Sequence, residues 1–274
     1  MFLCPICRTD LVQSGRTLRC HNGHSFDLAA QGYVNLLPAN KMSSKAPGDN
    51  AEMVNGRTRF LDSGSYQPLS DALNRTVIAL AADSPRILDA GCGEGYYAAR
   101  LYDALKAAGN APDFSGIDIS KRAVRHAAGR LPEGGFAVAS LFELPVADGS
   151  IDICYNIFSP VCAGEFARVL APGGHFIAVY PAARHLFALK EILYEKPYEN
   201  EEKSFELEEL EIENRERLSY SFTLNSNELI ESLFMMTPYY YKTPVDGSRR
   251  LAECERLSIE ADFWIVTYRR RNGR

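Results

Sequence analysis

The stretch Ile87-Leu88-Asp89-Ala90-Gly91-Cys92-Gly93-Glu94-Gly95 constrains this chain most. It reads as a short buried strand running into a glycine-rich turn and then a helix. Glycines at alternate positions let a backbone pass close to a ligand with no Cβ in the way. The helix that follows offers unpaired N–H groups at its start. Such a turn can hold a dinucleotide, but the spacing here is G-x-G-x-G rather than G-x-G-x-x-G. Alone the pattern is weak, because a tight left-handed turn selects the same residues. The preceding Ile-Leu-Asp and a second strand about twenty residues on make it far stronger.

That second strand is Phe114-Ser115-Gly116-Ile117-Asp118, followed by Ile119-Ser120. Asp118 is placed to accept hydrogen bonds from ribose hydroxyls, or else it or Ser120 caps the helix starting at Lys121. Phe136 to Leu141 reads as a third strand whose end, Leu141, reaches an adenine edge. Ser150 to Asn156 reads as a fourth, and Leu170 to Val179 supplies a turn and a fifth. Strands alternating with helical stretches predict an open, mostly parallel α/β sheet with ligands at the strands' carboxyl ends. The glycine loop, and Val169-Leu170-Ala171-Pro172-Gly173-Gly174 before the fifth strand, resemble the class I (Rossmann-like) methyltransferases. The resemblance implies S-adenosylmethionine as cofactor, its methionine part lying along Asp89, Gly91, Cys92, Gly93, Glu94 and Gly95.

Cys4-x2-Cys7-x12-Cys20-x3-His24 is a four-ligand spacing of the kind that holds tetrahedral zinc. Four protein ligands close such a site, so the expectation is one structural zinc ion rather than a catalytic one. Disulfides are the alternative. With no signal peptide or apolar span, a reducing cytoplasm without membrane attachment is expected, which disfavours them. Cys92, Cys154, Cys162 and Cys254 read as small core residues, although Cys92 lies inside the glycine turn.

A chain of 274 residues has room for a core domain and a small metal-stapled one. Its net charge of −5 is unevenly placed. Residues 191–216 hold eleven Glu against Lys196, Lys203 and Arg215, a net of −8 that leaves the remainder mildly basic. The acidic run is expected to be a solvated helix face or loop. Arg8, Arg16, Arg19, Lys41, Lys45, Arg57 and Arg59 crowd the zinc end, and the tail carries Arg269-Arg270-Arg271. This distribution permits RNA binding without demonstrating it.

Several further segments are joined to the zinc spacing and the glycine loop. They are Gly32-Tyr33-Val34-Asn35-Leu36-Leu37-Pro38, Pro47-Gly48-Asp49, Arg59-Phe60-Leu61, Tyr66-Gln67-Pro68-Leu69, Ser159-Pro160 and Arg184-His185-Leu186. Together these resemble the bacterial 23S ribosomal RNA guanine-N1-methyltransferases with an N-terminal zinc ribbon. The likeness is densest in residues 4–69 and 87–97 and fades after about residue 195. It implies zinc on Cys4, Cys7, Cys20 and His24, cofactor contacts at Tyr66, Cys92, Gly93 and His185, and 23S ribosomal RNA as partner. It also suggests a homodimer, and one branch of the family is tied to macrolide response. The expected division is a zinc ribbon for RNA recognition at 1–37, a linker and helix bordering the cofactor at 38–70, and a methyltransferase domain at 71–274.

Methyl transfer from a sulfonium is mostly a matter of aligning the nucleophile. Guanine N1 carries a proton and lies inside a Watson–Crick pair, so the target must be unpaired or extruded. At the end of the fourth strand, Asn156 is a candidate to read the guanine edge and Phe158 to stack on it. Each is equally readable as an ordinary turn or core residue. Tyr66 leans over the cofactor or staples its own helix, whose Leu69, Leu73, Val77 and Leu80 form an apolar stripe. His185 contacts the cofactor or merely caps a helix, and Tyr97 reads as pocket wall. Asp152 and Glu165 lie nearby, but the sequence assigns no general base. A small-molecule or protein methyltransferase, and a non-enzymatic zinc-ribbon adaptor, are the competing readings.

Overall fold

The structure, a computed structural model, describes residues 2–38, 40, 48–202 and 204–271. Lys41, Lys45, Pro47 and Lys203 lie outside the described residues. The chain opens with an antiparallel sheet of β1 (Val12–Ser14), β2 (Thr17–Arg19) and β3 (Ser25–Asp27). Between β2 and β3, the amide N–H of Gly23 donates to Cys20 O at 3.0 Å, and that of Cys20 to His24 O at 3.0 Å. This turn puts Gly23 at φ +86°, where a Cβ would be strained.

The ribbon is tied to the body rather than tethered to it. Leu3 N donates to Pro145 O at 2.8 Å, Phe2 bridges to Val146, and Arg8 Nη1 donates to Leu144 O at 2.8 Å. The next strand, β4 (Val34–Asn35), already pairs parallel with β7 (Gly135–Val138) of the main sheet. The chain thus enters the core at Val34, ahead of the ribbon end expected at residue 37.

Two helices follow, α1 (Ala51–Asp62), whose Met53 N–H is capped by the Asn50 side chain, and α2 (Gln67–Leu80), with Pro68 in its first turn. Leu69, Leu73 and Val77 of the expected stripe are buried, and Leu80 is half-buried. Then come β5 (Arg86–Ala90), α3 (Tyr96–Ala107), β6 (Asp113–Asp118), α4 (Lys121–Arg130) and β7. After them run β8 (Ile151–Ile157), α5 (Ala163–Val169), β9 (Leu170–Pro181), α6 (Phe187–Leu193), β10 (Leu210–Leu224), α7 (Asn227–Met235), α8 (Val245–Ala252) and β11 (Leu257–Arg270). The main sheet has the order β10-β11-β9-β8-β5-β6-β7-β4. From β9 to β4 neighbours are parallel, and β11 is antiparallel to both β9 and β10. Its central strands β5, β8 and β9 are apolar on both faces, as the covered middle of a sheet requires. Ile87, Tyr155 and Ile177 pack into one core, and Leu88, Cys154 and Phe176 into the other.

The strand expected to reach Leu141 ends at Val138, where Ala139 N turns to donate to Asp118 O at 3.1 Å. The acidic run begins in the last turn of α6 with Glu191, continues as the expected loop, and ends in a strand. Its last seven residues open the edge strand β10, where alternating charged side chains discourage pairing with another chain. It also neutralises the basic tail from within: Glu211 sits opposite Arg269, Arg269 approaches Glu213, and Arg271 Nη1 donates to Glu208 O at 3.0 Å.

Candidate functional site

In the ribbon, Cys4 Sγ and Cys20 Sγ lie 3.5 and 3.3 Å from His24 Nδ1, and Cys7 Sγ lies 3.7 Å from Cys20 Sγ. All four ligand atoms fall within 4.8 Å of one another. A zinc tetrahedron with Zn–S of about 2.3 Å and Zn–N of about 2.0 Å has edges of roughly 3.5–3.8 Å. The side chains therefore fit the ion, with His24 presenting Nδ1. Thr9 Oγ1, 3.2 Å from Cys7 Sγ, is the leading reason that the Cys7 thiol is pulled down to about 5, toward the thiolate zinc needs. Every cysteine is free, so the disulfide alternative does not hold.

The glycine turn lies at the carboxyl end of β5. Gly91 N and Cys92 N both donate to Ile117 O, at 2.8 and 3.0 Å, which fastens the turn to β6. Asp118, at the end of β6, accepts from Gly93 N through Oδ2 at 3.0 Å and from Ser120 N through Oδ1 at 2.8 Å. The cap of α4 is Ser120, whose hydroxyl accepts from Ala123 N. Asp118 is thus free of capping duty and keeps unused lone pairs toward the cavity it lines.

That cavity, about 330 Å³, brings together Asp89, Gly91, Cys92, Gly93, Glu94, Asp118 and Phe158 of the expected site. Its walls do not include Tyr66, Gly95, Leu141, Asn156 or His185. Gly95 instead allows helix packing: a Cβ there would sit 2.6 Å from Ala127 Cα. Asn156 is buried, and its side-chain amide donates to Ala90 O at 2.8 Å and Pro160 O at 3.4 Å, holding the turn rather than facing the cavity. Tyr66 and His185 form a layer behind Phe158, whose ring stacks on His185 at 6.1 Å. His185 Nδ1 accepts from Asp262 N at 3.3 Å, which puts the ring proton on Nε2, facing Tyr66 Oη at 3.3 Å. Burial drives His185 down to about 3, so this imidazole is neutral. Phe158 itself has φ +57° and is 41% exposed, an unusual backbone state for an aromatic residue.

Tyr97 lines the cavity as its sequence position predicts, whereas the remaining wall residues carry little signal of their own in the sequence. Arg57 of α1 forms an ion pair with Asp49 and is the nearest group, at 3.6 Å, to where a Cβ on Gly93 would lie. Tyr97 Oη is buried in the wall with no hydrogen-bond partner among the described residues. The carboxylates that flank the fourth strand are engaged elsewhere. Asp152 takes a bidentate pair and a backbone N–H from Arg86, and Glu165 binds Arg168 and Leu144 N.

Asp89 lies near the carboxyl end of β5, at the foot of the glycine turn. It is buried, accepts from Tyr155 Oη at 2.7 Å, and is pushed up to about 8, mainly by burial. A carboxyl raised this far favours the fold while protonated, and that contribution is lost as pH climbs from 3.8 toward about 8. Burial therefore favours the protonated form of Asp89 in the free protein. Placing a cationic ligand over the turn favours the carboxylate and should release that proton. Titration calorimetry of S-adenosylmethionine at pH 7 is expected to give heats that vary with the buffer's ionisation enthalpy. The variation should vanish above pH 9 and in Asp89→Asn; buffer-independent heats at pH 7 would refute the assignment.

Comparisons with known proteins bear on both parts. The family described as "RlmA, N-terminal" matches residues 2–45, and the family described as "Methyltransferase domain" matches residues 82–228. The chain is 36% identical over 91% of its length, and 89% of the relative's, to the 23S rRNA (guanine(748)-N(1))-methyltransferase of Streptomyces fradiae. It is 32% identical to YxjB of Bacillus subtilis (strain 168), over 97% of this chain and 96% of that one. Among solved structures, the YcgJ protein from Bacillus subtilis superposes with a TM-score of 0.50 at 18% identity, covering 74% of this chain and 98% of that one. That last likeness concerns the fold alone.

Proposed function

The chain belongs to the RlmA-type family of 23S ribosomal RNA guanine-N1-methyltransferases, S-adenosylmethionine-dependent enzymes with an N-terminal zinc ribbon, and on that premise we propose how it acts. Its substrate is a guanine in a 23S hairpin loop, the one corresponding to guanine 748 named for the Streptomyces fradiae relative. The observation that carries this reading is the joining, in one chain, of a Cys3His site with a glycine-lined cavity at the carboxyl ends of the strands. Neither module alone would name an RNA.

S-adenosylmethionine supplies an activated methyl group, and this chain's residues place it. Asp118 accepts the ribose hydroxyls with the lone pairs that Gly93 and Ser120 leave open. Gly91 to Gly93 leave room for the methionine part, beside Asp89. Phe158, exposed at the cavity and backed by His185 and Tyr66, gives the extruded guanine a face to stack on. Tyr66 and His185, which do not line the cavity, then act through Phe158. The ribbon and the segment leading to α1 grip the RNA. Among the described residues no helix is long and apolar enough to cross a membrane. In this reading the enzyme acts on ribosomal RNA in the cytoplasm, as a homodimer.

The test is a methyl-transfer assay with labelled cofactor on a 23S hairpin fragment, with mass mapping of the product. One methyl on N1 of the 748-equivalent guanine is expected, and macrolide susceptibility of cells with and without the gene is the cellular readout. A different guanine would correct the position only. Transfer to a small molecule or a protein, with none to RNA, would overturn the reading.

A further inference from the structure

A second, larger cleft adjoins the cofactor cavity. Of about 990 Å³, it runs between the chain leaving the ribbon and helix α4, and it shares Asp49 and Ile119 with the cavity. Lys121, Arg122 and Arg125 of α4 line it and are all exposed. None of the three has an ion-pair partner among the described residues. The only acidic side chain lining the cleft, Asp49, is already paired with Arg57. The residues outside the described ones contain no Asp or Glu, so no acid side chain there can neutralise the cluster.

The placement of these cations is unfavourable for the helix itself. Lys121 and Arg122 occupy the first turn of α4, which carries no acid, so their charge opposes the helix dipole. Next to them, His126 is kept below its ordinary range by burial and then by Arg122, Arg125 and Arg130. By contrast, two of the arginines that crowd the zinc end are engaged internally: Arg8 with Leu144 O, and Arg16 with Leu28 O and Ala29 O. The uncompensated positive surface beside the cofactor therefore belongs to α4.

We propose that the cleft between the ribbon exit and α4 is the track for the RNA backbone, with Lys121, Arg122 and Arg125 contacting phosphates next to the target nucleotide. This rests on the RNA-methyltransferase reading above. It places the strand on the carboxyl-end rim of β6, β7 and β4, beside Asp118, from which an extruded base can reach the cavity. Charge complementarity selects a polyanion, and a cleft of about 990 Å³ suits a strand better than a lone ion.

The full-length zinc-loaded protein tests this with the triple variant Lys121→Gln, Arg122→Gln, Arg125→Gln. These side chains are exposed and unpaired and two of them oppose the helix dipole, so the melting temperature should hold or rise slightly and the affinity for S-adenosylmethionine should not change. Affinity for a 23S hairpin fragment, measured by anisotropy across a salt series, should fall by about tenfold or more at 0.1 M salt. The slope of log K against log salt should become shallower by about 2–3, the loss expected for three phosphate contacts. A control variant, Arg75→Gln, Lys106→Gln, Arg256→Gln, removes the same charge from exposed positions outside the cleft. An unchanged salt slope in the α4 variant, or an equal loss in the control, would overturn the proposal. If the wild-type protein methylates no 23S fragment, the enzymatic reading fails, while the cleft is still judged by the slope difference on that RNA.

Discussion

Stripping zinc from this protein is expected to melt residues 4–28 while the glycine-lined cavity still binds S-adenosylmethionine. Of the described residues up to 28, only Leu3, Cys4 and Cys20 are buried, so the ribbon has almost no core of its own. Its order must come from the Cys4, Cys7, Cys20 and His24 cluster, since structural zinc supplies on the order of 10–16 kcal/mol to small modules of this kind. None of residues 4–28 lines the cofactor cavity. The ribbon is also held at both ends, by Phe2 and Leu3 on the 145–146 segment and by β4 in the main sheet, so melting should stop there. Chelation followed by hydrogen exchange should show β1 to β3 losing protection and β4 to β11 keeping it. Cofactor affinity should stay within about threefold, whereas RNA methylation should be lost. Well under one zinc per chain in protein purified without chelator would sink the idea, as would loss of cofactor binding along with the metal. Cys4→Ser with Cys7→Ser is a better variant than deletion of residues 1–38, which would also remove Val34 and Leu36 from the core.

Much of this was legible because the determinants are local. Ile87-Leu88-Asp89 announces a doubly buried strand, and alternate glycines announce the turn. The spacing of Cys4, Cys7, Cys20 and His24 announces a metal site without any knowledge of the fold. What stayed hidden depends on partners distant in the chain. Arg8 and Leu144 are 136 residues apart, and Asn156 and Ala90 are 66 apart, so no local pattern reveals that these side chains satisfy backbone carbonyls. The pairing of β10 with β11 was equally hidden, because its strongly charged outer edge reads as a solvated run. Even the three glycines look alike in sequence and differ in the fold. A Cβ on Gly91 would fall 2.0 Å from Ser159 Oγ, and one on Gly95 2.6 Å from Ala127 Cα, while one on Gly93 meets nothing nearer than Arg57 at 3.6 Å.

That difference leads to an expected separation of binding from folding. Gly93 has φ +53°, within the left-handed region that an Ala can adopt at a strain of about 1 kcal/mol. Its Cβ would project toward the cavity, beside Arg57. Gly93→Ala should therefore melt close to the wild type yet bind S-adenosylmethionine at least about tenfold more weakly, and Gly93→Val should be worse. Gly95→Ala should do the reverse and lose stability first, because its Cβ collides with the backbone of α4. Asp118→Ala strikes both. It leaves the N–H groups of Gly93 and Ser120 without their acceptor and removes the charge-assisted bonds proposed for the ribose. Together these should weaken cofactor binding by roughly 1.5–3 kcal/mol, about tenfold to over a hundredfold. Since Ser120 and not Asp118 caps α4, that loss cannot be put down to an uncapped helix. Calorimetry on the three sites, with thermal melts of the same samples, decides it. If Gly93→Ala and Asp118→Ala both bind the cofactor as tightly as the wild type, the turn serves only the fold and the cofactor lies elsewhere.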